Sequence, residues 1–241
     1  MTTLFIADLH LEDARPDTND EFLRFLDQEA RGADRLFILG DLFEAWVGDD
    51  DPSATGVKVA DGLADLAKSG TQIAFIHGNR DFLLGHDYAK RACMRLLPDP
   101  SLIVLEGEPT LIGHGDLYCT SDVGYQQFRS MTRNPQWQSQ FLSQPLAARL
   151  AFAQQAREAS KARYGELQAA GTAETITDVT PEAVDSAFDR YGVRRIIHGH
   201  THRPAVHEED GRTRIVVGDW YGETPRYLRA DAEGSRLLAF A

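Results

Sequence analysis

One pattern constrains this chain more than any other, and it occurs five times: a short apolar, β-branched run that ends abruptly in small and metal-type polar residues. The instances are LFIADLH from Leu4, RLFILGD from Arg35, IAFIHGN from Ile73, TLIGHGD from Thr110 and RRIIHGH from Arg194. Unbroken apolar runs of this length read as buried strands. The stretches Asn19 to Arg31, Val57 to Lys68 and Pro181 to Tyr191 have helical spacing, the last opened by a Thr180-Pro181 start signal. Strands alternating with helices predict an α/β sheet covered on both faces, with polar residues converging where strands run out into loops. From Ala205 the style changes to a hairpin (VHEEDGRTRIVV) followed by YLRA and RLLAFA, which predicts closure of a second, more antiparallel sheet.

The segment from Val123 to Gly165 interrupts the strand pattern. It holds Arg129, Arg133, Arg149, Arg157, Lys161 and Arg163 against the single acid Glu158, so it nets +5, whereas the chain as a whole carries -12. The rest of the chain therefore carries -17. The segment is also rich in Gln, Ala and aromatics, and Pro145 can open a helix running to about Tyr164. We read residues 123–175 as a helical cap inserted into a core made of 1–122 and 176–241, with the longest loop expected from Gly165 to Asp178. The 241 residues suit one core with an insertion, not two independent domains.

The overall acidity opposes binding of nucleic acid. No apolar stretch reaches the roughly 18 residues of a spanning helix, and MTTLFIADLH lacks the basic region of a signal or transit peptide. Cys93 and Cys119 form no CxxC pair, which fits a reducing compartment. The expected location is cytoplasmic.

Singly, Asp-x-His, Gly-Asp and Gly-Asn are common in turns. Together, Asp8, His10, Asp41, Asn79, His114, His200 and His202 each lie just beyond a predicted strand. Carboxylate, amide and imidazole donors without thiolate suit Mn²⁺, Fe²⁺ or Zn²⁺ above four-coordination. Seven such ligands suit two ions roughly 3.5 to 4 Å apart, with Asp41 as the natural bridge. Such a pair activates water against phosphorus, so the expected chemistry is phosphoester or phosphoanhydride hydrolysis.

The series D-x-H, G-D, G-N, G-H and G-H-x-H, from Asp8 to His202, resembles the calcineurin-like metallophosphoesterase superfamily. That resemblance implies a four-layer αββα sandwich with the helical cap added. It also implies one metal on Asp8, His10 and His202, the other on Asn79, His114 and His200, and Asp41 between them. Many superfamily members read G-N-H-E/D, whereas this chain has Gly78, Asn79, Arg80 and Asp81. Arginine clamps phosphate but does not give up a proton. The leaving group must therefore need none, and a phosphate monoester with its second pKa near 6 qualifies.

The finer blocks FIADLHL, ILGDLFEAWVGDD, FIHGNRDFLLG, LIGHGDLYCTSDVGYQQFR and IIHGHTHRP resemble the UDP-2,3-diacylglucosamine hydrolase family of lipid A biosynthesis, over nearly the whole chain. This implies cleavage of a lipid-linked nucleotide sugar to UMP and lipid X, with two divalent ions, usually Mn²⁺, at the cytoplasmic face of the inner membrane. It implies a peripheral protein and brings in no obligate protein partner. It places Asn79, Arg80, Asp122, Tyr125, Arg157, Ser160 and His200 on the headgroup. Trp46, Phe82, Phe128, Phe141 and Phe152 are candidates for an acyl-chain pocket, with packing as the alternative for each. The competing expectation is another metallophosphoesterase acting on a soluble diester or dinucleoside polyphosphate. Past Ser160 the chain departs from the family, with Tyr164 and Leu167 where members place polar contacts. His198 is expected to pack and not to ligate, and Asp49 to Asp51 to form a solvated loop.

Overall fold

The computed structural model describes residues 1–221 and 224–240. Four parallel strands, β1 (Thr3–Ile6), β2 (Arg35–Ile38), β3 (Gln72–Ile76) and β4 (Met94–Leu97), form the middle and one edge of the first sheet. Its other edge is the antiparallel pair β10 (Arg226–Asp231) and β11 (Gly234–Ala239), giving the order β11-β10-β1-β2-β3-β4. The second sheet has the order β5-β6-β7-β9-β8, from β5 (Ser101–Leu105), β6 (Glu108–Gly113), β7 (Arg195–His198), β8 (Ala205–Glu209) and β9 (Arg212–Val216). The expected 205–216 hairpin is therefore present in the second sheet. The strands after it go elsewhere: β10 pairs with β1 through Thr3 and Ala230, because the open edge of β1 accepts an antiparallel partner.

Alternation along each strand sorts its side chains into separate cores. Phe5, Phe37, Leu39, Ala74 and Ile76 of the first sheet meet Ile112, Ile197, Ile215 and Val217 of the second. The opposite face of the first sheet, with Leu4, Ile6, Leu36, Ile38 and Phe75, is covered by α1 (Pro16–Phe25, continued as a π-helical turn to Ala30), α2 (Ala54–Lys68) and α3 (His86–Arg91). Leu111 and Ile196 of the second sheet pack on Val184 and Phe188 of α8 (Pro181–Tyr191). Helix, sheet, sheet and helix make the four layers that the sequence implied.

Between β6 and β7 run α4 (Val123–Thr132), α5 (Pro135–Leu142), α6 (Leu146–Ala169) and α7 (Ala173–Ile176). Their ends obey local chemistry. Asn134 accepts from the Gln136 and Trp137 amides ahead of Pro135, and Asp122 accepts from the Tyr125 amide. The long loop expected from Gly165 does not exist: α6 continues to Ala169 because Leu167 finds a buried position, and α7 takes up part of the stretch between Ala169 and Asp178.

The basic residues of this insertion are mostly consumed in holding it down. Arg129 reaches Asp99 at 3.0 Å and Asp116 at 2.8 Å, and Arg133 donates to the Gly78 carbonyl at 2.7 Å. Arg149 pairs with Asp50 and donates to the Val47 carbonyl, and Arg157 pairs with Glu44. The +5 segment and the acidic body are thus complementary surfaces in contact. The acidic triplet is a loop with Asp50 exposed, as expected, but its carboxylates are engaged. Asp49 accepts from the Gly85 and Tyr88 amides at the start of α3, Asp50 anchors Arg149, and Asp51 accepts from the Ser53 amide.

Candidate active site

The segments after β1, β2, β3, β6 and β7 leave the carboxyl ends of parallel strands in both sheets and converge on one place. Asp8, His10, Asp41, His200 and His202 all stand in left-handed backbone, with φ of 55°, 52°, 52°, 70° and 55°. A non-glycine residue seldom adopts that region without a functional reason, and five such residues lie in one site. The turns must also approach each other closely. A Cβ on Gly78 would lie 2.1 Å from Asp41 Oδ1, and one on Gly40 would lie 2.6 Å from His114 Nδ1. The buried Asp81 fastens these turns together by accepting from the amides of Gly78 at 2.8 Å and Leu42 at 2.7 Å.

Two groups of donor atoms result, each within 4.8 Å: Asp8, His10 and His202, and Asp8, Asp41 and His114. Asp41 Oδ2 lies 3.7 Å from His10 Nε2 on one side and 3.9 Å from His114 Nε2 on the other. His114 Nε2 is 3.0 Å from Asn79 Oδ1 and 3.1 Å from His200 Nδ1. His202 Nε2 lies 3.6 Å from Asp8 Oδ1. All seven residues singled out in the sequence are therefore neighbours. Asp8 Oδ1 and both ring nitrogens of His10 are buried without a hydrogen-bond partner. Orphaned buried donors and acceptors of this kind are costly unless something meets them. This donor set fits divalent cations.

The electrostatics make the same demand. Burial alone would raise the Asp8 carboxyl, yet the nearby His202 ring, 3.6 Å away, and the charges of His114 and His10 hold it well below the carboxylate range. Burial opposes charge on His114, but Asp41, Asp116 and Asp8 overcome it and push the ring up to about 9. His202 is pushed up to about 10, burial being outweighed by Asp219 and Asp8. His200 goes the other way, down to about 4, because it is buried beside His114. Without other cations, the histidines must supply the positive charge that these carboxylates require.

Residues 1–204 match the calcineurin-like phosphoesterase family. Over 247 aligned positions the chain is 61% identical to a UDP-2,3-diacylglucosamine hydrolase of Stenotrophomonas maltophilia (strain K279a), covering 100% of this chain and 99% of that one. The chain is a calcineurin-like phosphoesterase of the UDP-2,3-diacylglucosamine hydrolase family. A second relative of that name, from Xanthomonas campestris pv. campestris (strain B100), is 58% identical over the full length of both chains. Among solved structures, one described as a novel archaeal phosphodiesterase covers both chains completely at 13% identity with a TM-score of 0.51, a likeness of fold.

Around the centre of this phosphoesterase stands a set of carboxylates that the sequence did not single out. Glu44 Oε2 is 2.8 Å from His10 Nδ1, and Asp219 Oδ2 is 2.9 Å from His202 Nδ1. The third ring is fixed by backbone, His114 Nδ1 lying 2.9 Å from the Leu39 carbonyl. Each neighbour stands beside one ring nitrogen and leaves the other to the centre. Asp116, fully buried, accepts from Arg129 Nε and from the Tyr125 hydroxyl. His198 is buried between the Gly199 carbonyl and Arg214, outside both groups, as expected of a packing residue.

The expected substrate contacts are placed unequally. The Arg80 amide donates to Asp41 Oδ1 at 2.8 Å, and its buried Nε has no partner. The Tyr125 ring lies 5.8 Å from that of His200. Arg157 reaches the site rim through Glu44, Asp122 caps α4, and Ser160 is exposed on α6. Among the aromatics, Phe82, Phe141 and Phe152 gather around Trp137, which stacks on Phe141 at 4.8 Å and lies 5.8 Å from Phe152 and 6.2 Å from Phe82. Trp46 does not stand free: it is buried against Phe43 at 4.6 Å and Tyr88 at 4.5 Å, the packing alternative for that residue. Phe128 is half-buried on α4 and makes no ring pair among the described residues.

Proposed function

We propose that this chain hydrolyses the pyrophosphate bond of UDP-2,3-diacylglucosamine, giving UMP and 2,3-diacylglucosamine 1-phosphate, in lipid A biosynthesis. The observation that carries the reading is one site that combines the two donor groups around Asp8 and Asp41, an arginine in place of a proton-donating histidine, and a nearby aromatic cluster. Asp8, His10 and His202 would hold one divalent ion, Asn79, His114 and His200 the other, and Asp41 would bridge them. Two such ions, when bound, lower the pKa of water and stabilise charge building on phosphoryl oxygens. Water oxygen adds to the UMP phosphorus, the anhydride bond breaks, and its electron pair leaves with the lipid phosphate. Arg80, permanently charged, neutralises that leaving group without having to protonate it.

Manganese is the proposed metal, the ion implied by the family resemblance and one of those that imidazole, amide and carboxylate donors suit. Residues 123–175 serve as the cap. Phe82, Trp137 and Phe152 line its acyl-facing side, backed by Phe141, which is buried in the core like Trp46, while Tyr125, Asp122, Arg157 and Ser160 serve the headgroup. No helix among the described residues is long and apolar enough to cross a membrane. Exposed Val123, Met131, Leu142, Leu150 and Tyr164 of α4 to α6, beside Lys161 and Arg163, offer an apolar and cationic surface for peripheral attachment at the cytoplasmic face of the inner membrane. Co-sedimentation with anionic liposomes at low salt, lost as salt rises, is the expected result. Absence of co-sedimentation at low salt would remove direct attachment.

The deciding experiment incubates the purified chain in detergent with UDP-2,3-diacylglucosamine or with UDP-N-acetylglucosamine, each with and without Mn²⁺. Metal-dependent release of UMP from the lipid substrate alone is expected. Cleavage of neither, with bis-p-nitrophenyl phosphate hydrolysed, would keep the metal centre and overturn the substrate.

A further inference from the structure

Glu44 lies in the segment that leaves β2, three residues after Asp41, with a carboxylate only 4% exposed. Its amide donates to the Leu11 carbonyl at 3.1 Å, which ties this segment to the one carrying Asp8 and His10. One carboxylate oxygen, Oε2, meets His10 Nδ1 at 2.8 Å and accepts from the Tyr221 hydroxyl at 2.7 Å. The other, Oε1, meets Arg157 Nη2 of α6. We propose that Glu44 is a positioning residue with two duties: it orients the His10 ring toward the metal, and it holds Arg157 of the inserted helices over the same site. The inference rests on the ligand role proposed for His10 and the headgroup role proposed for Arg157.

The chemistry of the three partners requires a carboxylate. A proton on Nδ1, the nitrogen 2.8 Å from Glu44 Oε2, leaves His10 its Nε2 lone pair, and Nε2 lies 3.7 Å from Asp41 Oδ2. Arg157 engages Glu44 through Nη2, and its Nη1 lies 4.0 Å from Glu12, so much of the guanidinium fork is left for a phosphate. All three partners are donors. A glutamine at position 44 accepts through one atom only and must turn an NH₂ toward His10 or toward Arg157. Glu44 is thus the side chain on which a ligand ring and an arginine of the insertion meet.

The test uses Mn²⁺ binding to the full chain, by equilibrium dialysis or calorimetry, together with steady-state kinetics at saturating metal. Glu44→Gln is expected to weaken Mn²⁺ binding by about 10- to 100-fold. At saturating Mn²⁺ it should raise KM for the lipid substrate by about ten-fold, with kcat far less affected. Arg157→Ala should raise KM comparably, leave Mn²⁺ affinity near that of the wild type, and show no further KM increase when combined with Glu44→Gln. Should the glutamine variant fail to fold, Glu44→Asp, which withdraws the carboxylate by one methylene, is read the same way. Wild-type Mn²⁺ affinity in the Glu44 variant, with affinity lost in His10→Ala, would overturn this inference alone. Wild-type affinity in His10→Ala as well would place the failure in the proposed ligand set.

Discussion

The floor of the site and the helices above it keep their residues in place by different means. On the floor, Asp8, His10, Asp41, His200 and His202 are held in left-handed backbone, which costs of order 1–3 kcal/mol at each residue and persists only where the surroundings over-determine it. The surroundings do so: the Asp8 and His10 amides donate to the Gly40 and Asp41 carbonyls, and the His200 amide donates to Asp8 Oδ2 at 2.7 Å. Above, α4 to α6 are ordinary helices seated by arginine side chains on carboxylates and carbonyls of the body. A substitution on the floor should therefore remove chemistry and leave the fold, whereas one at the seams should loosen the helices and spare the floor.

The largest effect expected is Asp41→Asn, which keeps the shape and the oxygen that accepts from the Arg80 amide but removes the charge proposed to bridge the two ions. Turnover should fall on the order of a thousand-fold or more. The metal-free variant should stay folded and melt close to the metal-free wild type, because removing the Asp41 charge relieves Asp81 but also takes away the main charge that raises His114. In the wild type burial, and then the Asp41 charge, push the Asp81 carboxyl up to about 6. A large loss of metal-free stability with folding impaired would erase the distinction between floor and seam. At the seam, Arg129→Ala leaves Asp116 and Asp99 in place without the arginine that touches both. Removing one partner of such a buried pair costs about 3–5 kcal/mol, measurable by denaturant unfolding. Arg149→Ala should cost less, about 1–3 kcal/mol, because it orphans the Val47 and Gln144 carbonyls while Asp50 turns to water. Mn²⁺ affinity should be unchanged in Arg149→Ala, and a fall in it would mean that this seam and the floor are one cooperative unit.

The same division explains what could be read from the sequence. The floor was legible because each of its residues closes an apolar run, and five such runs in one chain are specific when none is specific alone. The helix starts at Pro145, which caps α6, and at Pro181 were legible for a local reason, the fixed φ of proline. Glu44, Asp116 and Asp219 carried no local signature: Glu44 acquires its role from Tyr221, 177 positions away, and from an arginine on an inserted helix. The acidic triplet is the loop its sequence suggested, but only tertiary contact gave Asp49 the α3 amides and Asp50 a guanidinium. For β10 and β11 the strand pattern was right but the sheet was not, since periodicity does not report which edge is free. Gly165 looked like a helix stop, yet a glycine inside a helix costs only about 1 kcal/mol, and burial of Leu167 offsets it.

The smallest effect expected concerns acid and the seam between Asp50 and Arg149. The hydrogen bond from Arg149 holds the Asp50 carboxyl below its ordinary value. A carboxyl whose folded pKa is depressed stabilises above its unfolded value, near 4, and loses that contribution as pH falls through the lower folded value. The melting-temperature difference between wild type and Asp50→Asn should therefore be constant from pH 7 to about 5 and shrink toward zero below about 4. Because Asp50 is 63% exposed, added salt should shrink the same difference at neutral pH. Arg129 provides the contrast, since its partner Asp116 has no exposed side-chain surface and lies beyond the reach of screening. Equal salt sensitivity in Asp50→Asn and Arg129→Ala would mean that the whole seam opens to water as one piece, and that the insertion moves as a body on a fixed floor.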